Sequence, residues 1–167
     1  MHSIGNEHDA QTIAHWVRSH PTEYGRPKCV TTGDAPEGWQ LLGQGAFRSV
    51  WLSPEGVAYK VSHGLDWQYQ SDEEIRKLGE AWKRGPLEGC RLPQFERYVV
   101  GDDDLVVAIE RVRGVTLYEH DERESPFGLD YYDLLSDIED AYHLGDMHHE
   151  NALVDEDGYL VPVDFGG

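Results

Sequence analysis

Long apolar stretches are missing from this chain. The longest strictly apolar run, Leu105 to Ile109, is far too short to cross a bilayer. The first residues, Met1-His2-Ser3-Ile4-Gly5, have neither a basic flank nor an apolar core, so no signal peptide is expected and no membrane attachment. Cysteine is scarce. Cys29 and Cys90 cannot make a disulfide framework, and a reducing cytoplasm with free thiols is the expected setting. Positive charge is scarce too: 14 Lys and Arg stand against 32 Asp and Glu, for a net charge of −18. Such an excess repels phosphates at long range and argues against a nucleic-acid partner. It leaves open a basic partner, mimicry of a nucleic acid, or a fold that concentrates a few cations at one small site. With 39% hydrophobic residues and five tryptophans in 167 residues, the chain has the material for a packed core.

Residues 7–19 place Ala10, Ile13, Ala14, Trp16 and Val17 on one helical face, with Pro21 as the stop. A connector rich in Pro and Gly runs from Thr22 to Gly38. From Trp39 the pattern becomes strand-like: Trp39 to Leu42, Phe47 to Leu52, a Ser53-Pro54-Glu55-Gly56 turn, and Val57 to Val61. A helix follows within Asp66 to Arg84. Then comes a hairpin, Arg97 to Val100 and Leu105 to Ile109, around Gly101-Asp102-Asp103-Asp104. Residues 119–127 read as a charged loop. Leu129 to Leu144 reads as a helix with Tyr131, Leu134, Leu135, Ile138, Ala141 and Tyr142 inward and Gly145 as its stop. A last hairpin turns at Asp155-Glu156-Asp157-Gly158. The order of elements predicts an α+β fold.

Three sets of residues carry chemistry. Gly43-x-Gly45 joins two strands, not a strand and a helix, so it does not fit a dinucleotide fingerprint. Glycines in that setting serve a plain hairpin turn, or they bring backbone N–H groups against an anion. Lys60 lies on the third strand and reads either as an ordinary strand-end lysine or as a cation aimed at the same anion. In the helix that follows, Glu73 and Glu80 are spaced for solvated pairs with Lys77 and Arg76. Glu74 shares the apolar face of Leu78 and Ala81, and a helix starting near Asp66 makes it an inward carboxylate. A helix capped by Ser71 would instead leave Glu74 in the first turn. Finally, Asp146 and Asn151 follow the last helix, and Asp164 comes thirteen residues after Asn151. These oxygen donors suit Mg²⁺. A zinc set of His143, Asp146, His148 and His149 has no familiar spacing.

Leu42-Gly43-Gln44-Gly45-Ala46-Phe47-Arg48-Ser49-Val50, Val57-Ala58-Tyr59-Lys60, Asp146-x-x-x-x-Asn151 and Asp164-Phe165-Gly166 together resemble the protein-kinase signature set in its proper order. Ile109-Glu110-Arg111-Val112-x-Gly114 is similar to the kinase hinge. The resemblance runs from about Trp39 to the C-terminus. It implies a kinase-like fold with a five-stranded antiparallel small lobe, one helix, and a much-reduced helical large lobe. The implied organisation is an N-terminal helix and strap over 1–37, a small lobe over 38–112, and a truncated large lobe over 113–167. The strap would cover surface that absent helices otherwise bury.

By the same resemblance, ATP and Mg²⁺ are the cofactors. Gly43, Gly45, Val50, Ala58, Lys60, Glu110 and Val112 would bind nucleotide, with Lys60 paired to Glu74. Asn151 and Asp164 would hold metal, and Asp146 would be the catalytic base. The implied activity is phosphoryl transfer to a protein or small-molecule hydroxyl. The alternative is a pseudokinase-type module that binds nucleotide and acts through a partner protein, with acidic surface at Asp102–Asp104 and Glu119–Glu124.

Several positions depart from the pattern. Arg48 replaces the third loop glycine, and Leu144-Gly145 replaces the His-Arg pair before the catalytic Asp, so no phosphate-reading cation is expected. Asp146-Met147-His148 is closer to the Asp-Leu-His of aminoglycoside kinases. The stop soon after Asp164 resembles truncated kinase-like effectors that bacteria deliver into host cells, or an equally economical phage or bacterial protein. The expected location is cytoplasmic, in the host's cytoplasm for a phage protein or a delivered effector.

Overall fold

Strands β1 (Gln40–Gln44), β2 (Arg48–Leu52) and β3 (Val57–Ser62) form an antiparallel meander, and β4 (Phe95–Val100) and β5 (Asp104–Glu110) a hairpin that joins it through β5. The sheet order is β1-β2-β3-β5-β4. The computed structural model describes residues 4–20, 35–44, 48–63, 68–144 and 151–163. By contact the chain divides into two compact units, Met1–Asp72 with Gln94–Arg111, and Glu73–Pro93 with Val112–Gly167.

In the first unit the strands alternate as a pleated sheet must. Trp51, Tyr59, Val61, Val100, Val106 and Ala108 fill one face and pack with Trp39 and with helix α1 (Glu7–Ser19). The inward side of α1 is Ala10, Ile13, Ala14 and Val17, as its periodicity predicts. Trp16 is half-buried and meets the edge of Trp51 at 5.0 Å. The helix starts at Asn6, whose side chain accepts from the Asp9 N–H at 2.8 Å. Two tyrosines from the sheet fix the residues before it. The Tyr59 hydroxyl accepts from the Asn6 N–H at 3.0 Å, and the Tyr98 hydroxyl donates to Ile4 O at 2.8 Å. Gly5 has φ +71, and a Cβ there would meet the Tyr59 oxygen at 2.5 Å, so a close approach and a left-handed backbone both call for glycine. The N-terminal helix thus covers one face of the five-stranded sheet.

The turn read at Gly101–Asp104 ends one residue earlier than expected. Asp104 opens β5 opposite Val100 and is 8% exposed, so it is not part of an acidic surface. Its carboxylate takes Arg18 Nη2 at 2.6 Å and Gln68 Nε2 at 2.8 Å.

Helix α2 (Gln68–Arg84) starts before Ser71. The longer helix is therefore the correct reading, and Ser71 is a buried interior residue, not a cap. Its solvated face carries the expected pairs: Arg76 binds Glu73 and Glu80, the latter at 3.0 Å, and Lys77 lies 4.0 Å from Glu73.

In the second unit, β6 (Gly114–Thr116), β7 (Ala152–Asp155) and β8 (Leu160–Pro162) make a three-stranded antiparallel sheet. Gly114 is required by close approach, since a Cβ there would fall 2.0 Å from Val154 O. Helix α3 (Tyr131–Tyr142) is capped by Asp130, which accepts from the N–H groups of Tyr132 and Asp133 at 2.9 and 3.1 Å. Tyr131, Leu134, Leu135, Ile138 and Tyr142 are its buried face. The helix ends at His143, which adopts the left-handed conformation at φ 56. The stop expected of Gly145 is therefore made two residues earlier by a non-glycine cap, and Gly145 itself lies outside the described residues.

The fold is α+β, with the five-stranded antiparallel sheet and the helix between its third and fourth strands that the sequence led us to expect.

Candidate functional site

The register of the first sheet aligns several candidate residues. Gly43 pairs with Val50, Val50 with Lys60, and Lys60 with Val107, in one row across four strands. The next row is Leu52, Ala58 and Ile109. Residues directly opposite one another share a face, and residues two apart along a strand share it too. Val50, Ala58 and Lys60 therefore lie on one face, and it is the face opposite α1. The bulge between Leu41 and Gly43 preserves this phase: Leu41 still faces the α1 core while Gly43 joins the row of Lys60.

Lys60 is not a strand-end residue. It sits inside β3, which runs on to Ser62, and is 7% exposed. Lysine is almost never buried to this degree without a partner for its charge, so the ordinary reading of Lys60 fails on burial. Ala58 is buried and Val50 half-buried beside it. A Cβ built on Gly43 meets nothing within 4 Å, and Gly43 is not among the glycines with positive φ. Among the described residues nothing in the packing demands glycine there, and the space over it is open.

Glu110 closes β5 and is held through both main chain and side chain. Its N–H donates to Gln94 O at 2.8 Å, and its Oε1 accepts from the Gln94 N–H at 3.0 Å. These bonds leave its carbonyl out of the exchange with Gln94. Val112 is buried at the start of the second unit's last segment. Glu74 is fully buried within α2, in register with Ser71, Leu78 and Ala81, which are buried as well.

In the second unit, Asn151 enters β7 and its carbonyl accepts from the Val163 N–H at 2.9 Å. This bond closes the open end of the β7–β8 hairpin. Val163 directly precedes Asp164 in the chain, so the bond ties Asn151 to the sequence neighbour of the other expected metal ligand. Gly45, Asp146 and Asp164 lie outside the described residues. Of the zinc set only His143 is described. Among the described residues no group of three or more His, Cys, Asp or Glu is arranged to hold a metal ion.

A groove of about 820 Å³ in the second unit is lined by Leu87, Leu129, Leu134 and Ala141, with Asp133 and Asp137 among its acidic residues. None of the sequence-predicted site residues lines it. Sequence reasoning also missed the polar network of Arg18, Asp104 and Gln68. A charged residue that recurs on the core side of a helix pattern was its one visible signal, since Arg18 follows Val17 at the buried end of α1.

Burial governs the titration of several groups. It pushes Tyr59 up to about 12, against the smaller opposing effect of its hydrogen bond from Asn6. Cys90 is also pushed up to about 12, chiefly by burial, and is an inert thiol at neutral pH.

No protein-family model and no curated protein matches the chain. Among solved structures, it is similar to a protein described as PpkA-294 in its apo form, at 18% identity and a TM-score of 0.48. It is also similar to a cysteine-to-alanine mutant of the PknI kinase domain of Mycobacterium tuberculosis, at 20% identity and a TM-score of 0.44. The alignments cover 82% and 83% of this chain but 61% and 64% of those two chains, so this chain spans about three fifths of the length of each.

Proposed function

We propose that the chain is a Mg-ATP-dependent phosphotransferase acting on a hydroxyl group of a protein or small molecule. The observation that carries this reading is the row Gly43–Val50–Lys60 on the sheet face opposite α1, with its lysine buried. Open space over Gly43 leaves room for a phosphate to approach the backbone, and Lys60 supplies a cation in the same row. Val50 and Ala58, small and apolar, are a fitting floor for a planar base. Glu110 and Val112 would offer main-chain groups to its edge. Glu74 is the carboxylate assigned to Lys60, and its complete burial favours a charge partner over a solvated role.

Asn151 and Asp164, both hard oxygen donors, would hold Mg²⁺. Bound there, the ion would neutralise charge developing on phosphate oxygens. Asp146 would orient the acceptor hydroxyl and take its proton. Phosphoryl transfer depends mostly on positioning and charge, which is why few residues suffice for it.

The test uses the full chain with labelled ATP and Mg²⁺, following label to the protein itself, to lysate proteins and to water. Wild type should transfer label, and Asp146→Asn should lower turnover by about 10²–10⁴-fold with nucleotide affinity unchanged. No ATP binding at millimolar nucleotide with Mg²⁺ would contradict the reading, and binding with no transfer to any acceptor would reduce it to a nucleotide-binding module.

A further inference from the structure

Arg18, at the C-terminal end of α1, reaches across to the sheet. Its Nη1 donates to Ser62 O at 2.5 Å and its Nη2 to Asp104 Oδ1 at 2.6 Å. Ser62 is the last residue of β3, two beyond Lys60. The same Asp104 oxygen accepts from Gln68 Nε2 at 2.8 Å, and Gln68 is the first residue of α2. Gln68 Oε1 in turn accepts from the Leu105 N–H at 3.1 Å. One guanidinium therefore binds the end of β3 directly and the start of α2 through one carboxylate, and a side-chain amide locks that start to β5.

The network is largely withdrawn from water, with the Asp104 side chain 11% and the Arg18 side chain 25% exposed. Charge-assisted bonds in such surroundings are strong and directional. The fork shape of the guanidinium matters here, since two acceptors must be held at once. Nothing in this arrangement is needed for α1 to cover the sheet, because Ala10, Ile13, Ala14 and Val17 accomplish that.

We propose that Arg18 is a positioning residue of the nucleotide site. With α1 docked, it fixes where β3 ends and α2 begins, and so couples the N-terminal helix to the strand that carries Lys60. The proposal rests on the nucleotide reading given above. It makes α1 an internal activating element: a chain with α1 undocked would keep the site residues and lose their setting.

The test compares full-length wild type with Arg18→Met, Arg18→Lys, Gln68→Leu and the double variant Arg18→Met/Asp104→Leu. The double variant removes both charges and guards against unfolding caused by a lone buried carboxylate. Amide exchange and MgATP affinity are measured for each. Exchange at Leu105 and Asp72 should rise about tenfold or more in Arg18→Met and Gln68→Leu, the scale of a lost charge-assisted bond. The amides of β7 and β8 should be unchanged.

MgATP affinity should fall by about 2- to 30-fold in the same variants, and Arg18→Lys should recover part of it. Exchange that stays at the wild-type level, or that rises evenly through the whole sheet, would overturn the proposal. So would unchanged MgATP affinity in variants whose exchange has risen. Wild type that fails to bind MgATP would overturn the nucleotide reading instead, and with it the coupling to that site.

Discussion

The two faces of β3 are both buried, and they are buried for different reasons. On one side Tyr59 and Val61 sit in an apolar core with Trp51, Val106 and Ala108, closed by α1. On the other, Ala58 and Lys60 alternate with them along the same four-residue stretch, and Lys60 is 7% exposed despite its charge. The first face is explained by packing alone. The second contains a group that packing would reject, which is the usual mark of a position kept for chemistry. Within one strand, alternate residues thus answer to packing and, on the proposed reading, to function.

The covered face should give the largest effect on folding. Trp51→Ala removes an indole that is 1% exposed and leaves a cavity, so it should cost about 3–5 kcal/mol in denaturant unfolding. Nucleotide affinity per folded molecule should hardly change. The neighbouring face should respond in the opposite way. Lys60→Met/Glu74→Met removes both buried charges and keeps the side-chain lengths, so unfolding free energy should change little. Turnover should fall by about 10²–10³-fold, the usual loss for one electrostatic stabiliser of a transferring group. Equal losses of stability in both variants would erase the distinction between the faces.

Alkaline titration sharpens the same contrast. The Tyr59 phenol is pushed from 10.0 up to about 12, chiefly by burial. A folded-state value above the unfolded one favours the protonated form in the fold. Its stability is therefore fully present below pH 10 and is lost as pH rises through about 12. Cys90, raised from 9.0 to about 12 mainly by burial, acts in the same sense from pH 9 upward. Unfolding free energy measured from pH 8 upward should decline, and Tyr59→Phe should decline less steeply. An unchanged slope in Tyr59→Phe would show that the phenol is not buried against α1.

The smallest effect concerns Gly43. A Cβ there meets nothing within 4 Å, and its φ is not positive. Gly43→Ala should therefore stabilise the fold by about 0.4–1 kcal/mol through the unfolded state. It should nonetheless weaken MgATP binding, because the new methyl group occupies the space over the backbone. Stabilisation with unchanged affinity would remove Gly43 from the site.

Local pattern made much of this legible. The inward residues of α1 and α3, the five strands and their turns, and the solvated pairs of α2 all follow from spacing, because each depends on residues three, four or two apart. Glu74 was legible as an inward carboxylate of the longer helix; Lys60 was visible as a candidate, but its burial was not, since a lysine at a strand's written end looks the same in a strand that stops and in one that continues. Asp104 was misread for a related reason. In a run of three aspartates nothing local distinguishes the one that meets Arg18, whose partner is 86 residues away. The stop at His143 also escaped the pattern, because a non-glycine residue in the left-handed region leaves no mark in the sequence.

On the proposed reading, nucleotide binds the sheet face opposite α1. Methyl-labelled protein titrated with MgATP tests it most directly, because the same strands carry methyl groups on both faces. The account predicts that the methyl signals of Val50, Ala58 and Ile109 shift together and saturate, while those of Val61, Val106 and Ala108 stay in place. Shifts confined to the second set, or none in either at millimolar MgATP, would contradict it.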